Sequence, residues 1–163
     1  MDLGISGRRA AVAAGSSGLG LGAAKALAAE GALVASCGRD RARLDAAAAE
    51  VDEIGVCVAI NADVGTPDGA AGFVDAATAA LGGLDILVPN AGGPPPGTFA
   101  STPVDAYPAA IDLNLMSVVA MCKAAVPSMQ AQGWGRVVAI TSLAVRQPMG
   151  QLILSNTARA GAT

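Results

Sequence analysis

Short apolar runs alternate with longer, alanine-rich segments along most of this chain. Five of these runs predict strands: residues 10–14, 33–37, 56–60, 86–88 and 137–141. They are almost continuously apolar, as expected of parallel strands that are buried on both faces. Four intervening segments are long enough to form crossover helices: residues 18–30, 41–53, 66–81 and 111–132.

This alternation predicts an α/β fold, a doubly wound parallel sheet with helices on both faces. No break in composition divides the chain, so we expect a single domain over residues 1–163. Ligands of such sheets bind beyond the carboxyl ends of the strands, where the strand order reverses. Residues at the strand ends are therefore the candidates for function.

Composition and charge exclude several classes of protein. Histidine is absent, which excludes Ser-His-Asp hydrolysis, Cys-His proteolysis and most zinc chemistry. The three cysteines, Cys37, Cys57 and Cys122, are far apart, so no disulfide framework or metal site is indicated. The net charge of −3 comes with no block of basic residues and few aromatic side chains, which argues against a nucleic-acid partner.

The apolar stretches also bear on localisation. The stretches at 109–122 and 136–144 are interrupted by Asp112 and Asn114 or are too short, so no membrane span is expected. The N-terminus lacks the apolar run of a secretory signal, and we expect a cytoplasmic protein.

A glycine-rich turn follows the first predicted strand and leads directly into a helix. Glycines let a backbone approach a pyrophosphate closely, and a helix N-terminus offers free N–H groups to that anion. The same turn could also be a tight connection without a ligand. Its residues are Gly15, Ser16, Ser17, Gly18, Leu19 and Gly20.

The end of the second strand bears on the choice of nucleotide. An acidic residue there would accept hydrogen bonds from a ribose 2′-hydroxyl, but Gly38 occupies the place and Arg39 follows it. Because a guanidinium suits a 2′-phosphate, NADP is favoured over NAD. Alternatively, Arg39 is only solvated while Asp40 caps the next helix.

Further motifs follow in a fixed order, and with them the chain resembles the short-chain dehydrogenase/reductase family from about Ala11 to Ala160. The resemblance implies a Rossmann fold in which Asp63 and Val64 contact adenine. It also implies that Asn114 is the asparagine that the family keeps within a helix and that Ser142 is the catalytic serine. One further set matches the family's fourth-strand motif: Asn90, Ala91 and Gly92.

The departures from the family pattern are as informative as the matches. Ala13 and Ala14 replace the threonine and first glycine of the phosphate turn, and Pro89 replaces an asparagine. Where the family has its catalytic tyrosine and lysine, this chain has Ser155 and Arg159. An alkyl hydroxyl is a much poorer acid than a phenol of pKa about 10, whereas an arginine keeps its positive charge. The sequence therefore supports nucleotide binding more strongly than catalysis.

The resemblance implies an NADP-dependent oxidoreductase similar to 3-oxoacyl-carrier-protein reductases, acting on a small carbonyl or alcohol substrate. Asn114, Ser142, Ser155 and Arg159 are its candidate catalytic residues. The alternatives are a nucleotide-binding pseudoenzyme or regulatory subunit without turnover, and a structural fragment that binds nothing.

Further expectations concern the C-terminus, the loop 92–97 with the nearby Phe99, and the helix 111–132. No strand follows the predicted helix near Leu152, so we expect a sheet that is incomplete at the C-terminus. The loop 92–97 is interpreted as a rim of the active site or as a stiff surface connection, and Phe99 as a substrate contact or a core anchor. The family usually forms homo-oligomers, and helix 111–132 is the candidate interface.

Overall fold

The computed structural model describes residues 3–163, which form one five-stranded parallel sheet with helices on both faces. The strands are β1 (Arg9–Val12), β2 (Leu33–Gly38), β3 (Val56–Asn61), β4 (Ile86–Val88) and β5 (Arg136–Val137). The helices are α1 (Gly18–Ala29), α2 (Arg41–Asp52), α3 (Pro67–Leu81), α4 (Tyr107–Ile111), α5 (Ser117–Ala131) and α6 (Ile153–Gly161). Short helical turns lie at Val104–Ala106 and Leu143–Val145.

The strand order is β3-β2-β1-β4-β5, so the order along the chain reverses between β1 and β4. The connections leave these two strands toward opposite sides, which opens a crevice at their carboxyl ends. The predicted doubly wound parallel sheet is confirmed, and with it the place where a ligand should bind.

Each face of the sheet has its own apolar core because side chains alternate along a strand. Val12, Val34 and Val88 pack with α1 and α2 on one face. Leu87 packs on the other face with Phe73 of α3 and Met121 of α5. The two cores hold the central strands rigidly, so that the loops at their carboxyl ends have fixed positions.

The outer strands depart from the expectation of full burial. The predicted strand 137–141 is a two-residue ladder, although Val138 N–H and Ile140 N–H still donate to Leu87 and Pro89 at 3.0 and 2.9 Å. Val137 and Val138 are 40% and 60% exposed. The prediction of burial on both faces is therefore wrong for β5, because no further element covers its outer side in the described residues.

The long predicted helix begins earlier than expected and is not uniform. It starts with α4, passes through a wider π-helical turn at Asp112–Met116 and continues as α5. The run Val104–Ala131 is 28 residues long and contains an 18-residue window with a mean hydropathy of 1.6, enough by length and composition to cross a bilayer. The interruptions at Asp112 and Asn114 do not keep this run from meeting the length and composition test, but core helices of α/β domains pass the same test, and α5 packs against α3. The expectation of no membrane span stays a prediction.

Candidate nucleotide-binding cleft

A cleft of about 390 Å³ lies at the carboxyl edge of the sheet, where the strand order reverses. It is bordered by the turn after β1, the ends of β2 and β3, the loop after β4 and one side chain of α6. Of the residues predicted from sequence it collects Ser16, Ser17, Leu19, Arg39, Asp63, Val64, Asn90, Ala91, Gly92 and Arg159.

The turn after β1 leaves backbone donors available at the start of α1. Ser17 makes no side-chain capping bond, whereas Asp40 and Thr66 cap α2 and α3 by accepting from the N–H groups of Arg43 and Gly69. The N–H groups in the first turn of α1 therefore lack a capping partner. Gly18 has a φ of 56°, and nothing lies within 4 Å of where its Cβ would be. These features fit an anion such as a pyrophosphate.

Asn90 connects this turn to the end of β4. Its Nδ2 donates to the carbonyl oxygens of Ala13 and Ala14, at 3.2 and 3.4 Å. Gly20 packs beneath, because a Cβ there would overlap Ala14 O and lie 2.8 Å from Asn90 Nδ2. Gly15 ties the turn to the neighbouring strand by donating its N–H to Cys37 O at 2.9 Å. Asn90, Gly20 and Gly15, all predicted from sequence, thus fix the position of the turn that borders the cleft.

Ala14 is the one non-glycine residue with a positive φ in the described part of the chain, at 47°. It stands where the family pattern has glycine, and a left-handed conformation costs an L-residue about 1–2 kcal/mol. The bonds from Asn90 and the contact of the Ala14 N–H with Cys37 Sγ at 3.4 Å hold it there. The strain is maintained by the surrounding structure.

Replacing Ala14 by glycine should therefore stabilise the protein, by about 0.5–1 kcal/mol once the greater freedom of glycine in the unfolded chain is subtracted. Urea unfolding would measure the change. The matched control is Ala26→Gly at an exposed position of α1, which should cost about 1 kcal/mol. Equal destabilisation by both substitutions would show that Ala14 is not strained.

The end of β2 presents two arginines to the cleft. Arg39 is 77% exposed, and its Nε lies 4.0 Å from Asp63 Oδ1, a distance at which an exposed pair contributes little. Arg43 also borders the cleft, and sequence reasoning missed it. Helical spacing gave no signal for it, because Arg39 precedes α2 whereas Arg43 lies in the first turn of that helix.

The space beside Gly38 is restricted. A Cβ there would lie 3.0 Å from Ser16, so even alanine would be crowded. Asn61 on β3 holds the backbone at this point, since its Nδ2 donates to the carbonyl oxygens of Gly38 and Arg39 at 3.0 and 3.1 Å. The predicted Asp40 cap also exists, with Arg43 N–H donating to its Oδ1 at 3.0 Å, and Arg39 is exposed beside it.

Arg159 reaches the opposite end of the cleft from α6. Its Nη1 donates to Ile140 O at 3.1 Å, and its Nη2 lies 3.5 Å from Ala91 O, so the guanidinium spans the ends of β4 and β5. No carboxylate among residues 3–163 forms an ion pair with it, and burial lowers its pKa. The side chain has five donor hydrogens, which leaves capacity for a ligand.

Asn114 lies behind the cleft, in the π-helical turn. Its Nδ2 donates to Gly92 O at 2.9 Å, while its buried Oδ1 has no hydrogen-bond partner within the described residues. It therefore supports the loop after β4 and offers one unused acceptor.

Ser142 and Ser155 are not among the residues bordering the cleft. Ser142 begins the turn after β5, where its Oγ accepts from Ala144 N–H at 3.2 Å, and Ser155 is 8% exposed within α6. The turn packs against α6, so the structure brings the two serines to neighbouring elements. Their catalytic roles stay predictions.

The loop after β4 is a rim of the cleft on one side and of a second groove on the other. Gly93 and Leu113 line both, as does Arg39, and the three prolines Pro94–Pro96 line only the second, which has a volume of about 500 Å³. Phe99 is 80% exposed, which excludes the alternative of a core anchor.

Comparison with known proteins agrees with this geometry. The chain matches the short chain dehydrogenase family over residues 8–163. It is 35% identical to D-beta-hydroxybutyrate dehydrogenase of Cupriavidus necator, over 85% of this chain and 54% of that protein. It is 32% identical to dehydrogenase/reductase SDR family member 4 of Oryctolagus cuniculus, over 98% of this chain and 63% of that protein.

A solved structure of similar sequence has the same fold. L-sorbose reductase from Gluconobacter frateurii, complexed with NADPH and L-sorbose, superposes with a TM-score of 0.92 at 33% identity, covering 99% of this chain and 62% of that one. The chain thus spans between about half and two thirds of the length of these three proteins. The sheet, the ordered motifs and these matches together show that the chain belongs to the short chain dehydrogenase family.

Proposed function

We propose that this chain is the nucleotide-binding part of an NADP(H)-dependent oxidoreductase that transfers hydride between the nicotinamide and a small carbonyl or alcohol substrate. The observation that carries the proposal is the cleft itself. It has an uncapped helix N-terminus in the middle, arginines at the β2 end and a half-buried arginine at the β5 end. Such a site suits a dinucleotide with phosphates at its centre.

The preference for NADP(H) rests on the end of β2. Arg39 has no close carboxylate partner, and no acidic side chain is present at Gly38 to bind a ribose 2′-hydroxyl. A guanidinium in this position favours a 2′-phosphate. The likeness to L-sorbose reductase, which was solved with NADPH, supports the same choice.

A bound nicotinamide would supply the hydride chemistry, and the protein would supply binding and orientation. Burial lowers the pKa of Arg159. The side chain still keeps its charge, because the ordinary pKa of a guanidinium lies far above neutrality. Its remaining donors suit a ribose hydroxyl or a negative substrate oxygen. Asn114 fixes the loop after β4 and offers its free Oδ1 to a water molecule.

Proton transfer is the step for which this chain is least equipped. Ser142 keeps its hydroxyl proton as a donor, because its oxygen only accepts from Ala144 N–H. Ser155 has an alkyl hydroxyl and is buried, so it cannot replace a phenol as an acid. In our proposal the two serines position the substrate or a water molecule, and water delivers the proton.

The burial of Ser155 also favours a second candidate, a protein that binds the nucleotide without turnover. The same cleft and the same arginines serve this function. The two candidates differ only in hydride transfer, because family membership does not guarantee activity.

One titration tests the binding shared by both candidates. We expect NADPH to bind at least about tenfold more tightly than NADH, a difference of about 1.4 kcal/mol, when nicotinamide fluorescence is followed. Arg39→Ala should remove most of this preference and leave NADH affinity unchanged. Oxidation of bound NADPH by a panel of ketones and 3-oxoacyl compounds would then separate the enzyme from the pseudoenzyme.

Two results would contradict the proposal. If neither nucleotide binds, the cleft is not a nucleotide site in this chain, as expected of a structural fragment. If NADH binds as tightly as NADPH, the proposed preference for NADP(H) is wrong.

We also propose that the protein is a homo-oligomer that uses the outer face of α5. Met116, directly before α5, and Val119 within it are each 38% exposed, and apolar side chains of this kind are typical of interfaces. Sedimentation of the purified chain would measure its mass, and a monomer at micromolar concentration would oppose this proposal.

A further inference from the structure

Three arginines lie close together at the junction of β2 and α2, and they differ in what they contact. Arg41 is held by Asp45, with its Nε 2.8 Å from Oδ2, and it does not border the cleft. Arg39 and Arg43 do border the cleft. The arginine with a close carboxylate partner is thus the one that faces away from the cleft.

Arg43 has no carboxylate partner in the part of the chain that the structure describes. Its backbone N–H donates to the Oδ1 of Asp40, the N-cap of α2, which fixes the residue in the first turn of that helix. Because Asp40 already accepts from the Arg43 N–H, that backbone donor is not available to a ligand, whereas the Arg43 side chain is. The carboxylates at this end are Asp40 and Asp63, and each already accepts from a backbone N–H, that of Arg43 at 3.0 Å and that of Gly65 at 2.9 Å.

We propose that Arg43 is a second specificity-determining residue, which together with Arg39 binds the 2′-phosphate of NADP(H). The inference rests on the proposed function and extends it, since it assigns the phosphate to two guanidinium groups. A phosphate that carries close to two negative charges is matched by two cations, and two planar groups hold it from two directions.

Arg43→Ala tests the inference, with Arg41→Ala as the matched control. Both positions are exposed on the same turn, and alanine is the best helix former, so both variants should fold. We expect Arg43→Ala to weaken NADPH binding about five- to tenfold while NADH affinity stays the same. Arg41→Ala should change neither affinity, and Arg43→Lys should restore part of the loss because it retains the charge.

A smaller pair of probes separates the phosphate from the rest of the nucleotide. Adenosine 2′,5′-bisphosphate should lose the same factor in Arg43→Ala as NADPH, and AMP should lose nothing. The loss should also become smaller as salt is added, since both arginines are exposed.

The outcomes separate this inference from the proposed function. If the unmodified chain prefers NADPH and Arg43→Ala keeps the full preference, the inference is wrong and the proposed function stands. The same holds if Arg43→Ala weakens NADPH and NADH equally, because the residue would then act on the fold of the cleft. If the unmodified chain binds neither nucleotide, both are wrong.

Discussion

Replacing Asp85 by asparagine is expected to lower the free energy of unfolding by about 3 kcal/mol, the largest effect of any single substitution proposed for this protein. Asp85 is 3% exposed and precedes β4. Its Oδ2 accepts from Arg9 Nε and Arg9 N–H at 2.8 and 2.9 Å, and its Oδ1 accepts from Arg9 Nη2 at 3.0 Å. Gln132 and Arg8 also approach it, at 3.3 and 3.7 Å.

This network joins the beginnings of β1 and β4 to the end of α5. Removing the carboxylate charge leaves the Arg9 guanidinium without its partner, and that unpaired charge accounts for most of the expected loss. The matched control is Asp45→Asn, in a pair with Arg41 whose side chains are 49% and 64% exposed, which should cost about 0.3–0.5 kcal/mol. Urea unfolding of both variants would measure the difference.

The effect should depend on pH in one direction. The hydrogen bonds from Arg9 hold the pKa of Asp85 below its usual value of 3.8. A carboxylate with a lowered pKa in the folded state stabilises the protein above its unfolded pKa, and this contribution is lost as the pH falls through the folded pKa. The gap between the unmodified protein and Asp85→Asn should be constant from about pH 7 to pH 5 and narrow below about pH 4. A gap that stays unchanged in acid would contradict the assignment.

Two glycines of α1 should respond to the same substitution with opposite signs. Gly20→Ala places a methyl group against Ala14 O and Asn90 Nδ2, where the backbone of the phosphate turn lies. Relief of this overlap moves the turn away from α1, and we expect a loss of about 1–3 kcal/mol. Because the turn forms the centre of the cleft, affinity for NADPH and for NADH should fall together.

Gly22→Ala is the matched control, two residues along the same helix. Gly22 is exposed, and nothing lies within 4 Å of where its Cβ would be. Alanine there should stabilise the protein by about 0.5–1 kcal/mol, because glycine is unfavourable within a helix. Thermal unfolding would measure both variants. A neutral Gly20→Ala would show that the turn is not packed against α1 as described.

Much of the cleft could be predicted from sequence because its parts follow strands directly. Ser16, Asn90 and Asp63 each lie just after a strand, and the carboxyl ends of parallel strands meet at one edge of a sheet. The apolar pattern predicted that the strand ends meet, and the resemblance to the family singled out Asp63 and Asn90 at those ends. The same reasoning missed Arg43, since a single sequence does not show which face of α2 turns toward the ligand.

Other differences arise from packing that a linear pattern does not contain. Ser142 and Ser155 align with catalytic positions of the family, yet neither borders the cleft. Val137 and Val138 are as apolar as buried strand residues, yet they are exposed because no element within residues 3–163 covers the outer side of β5. Hydrophobicity alone indicates that a strand is present, but neighbouring elements decide whether it is buried.

The sequence by itself determined the fold class, the crevice at the strand ends and half of the residues that border the cleft, because strand and helix periodicity and the glycine turn are local properties. The tertiary structure decided which charges remain available. It paired Arg9 with Asp85, turned Arg39 and Arg43 toward a cleft shared with β3 and β4, and set Arg159 across the chain that follows β4 and β5. These outcomes depend on distances between residues that are far apart in the chain, and only packing sets such distances.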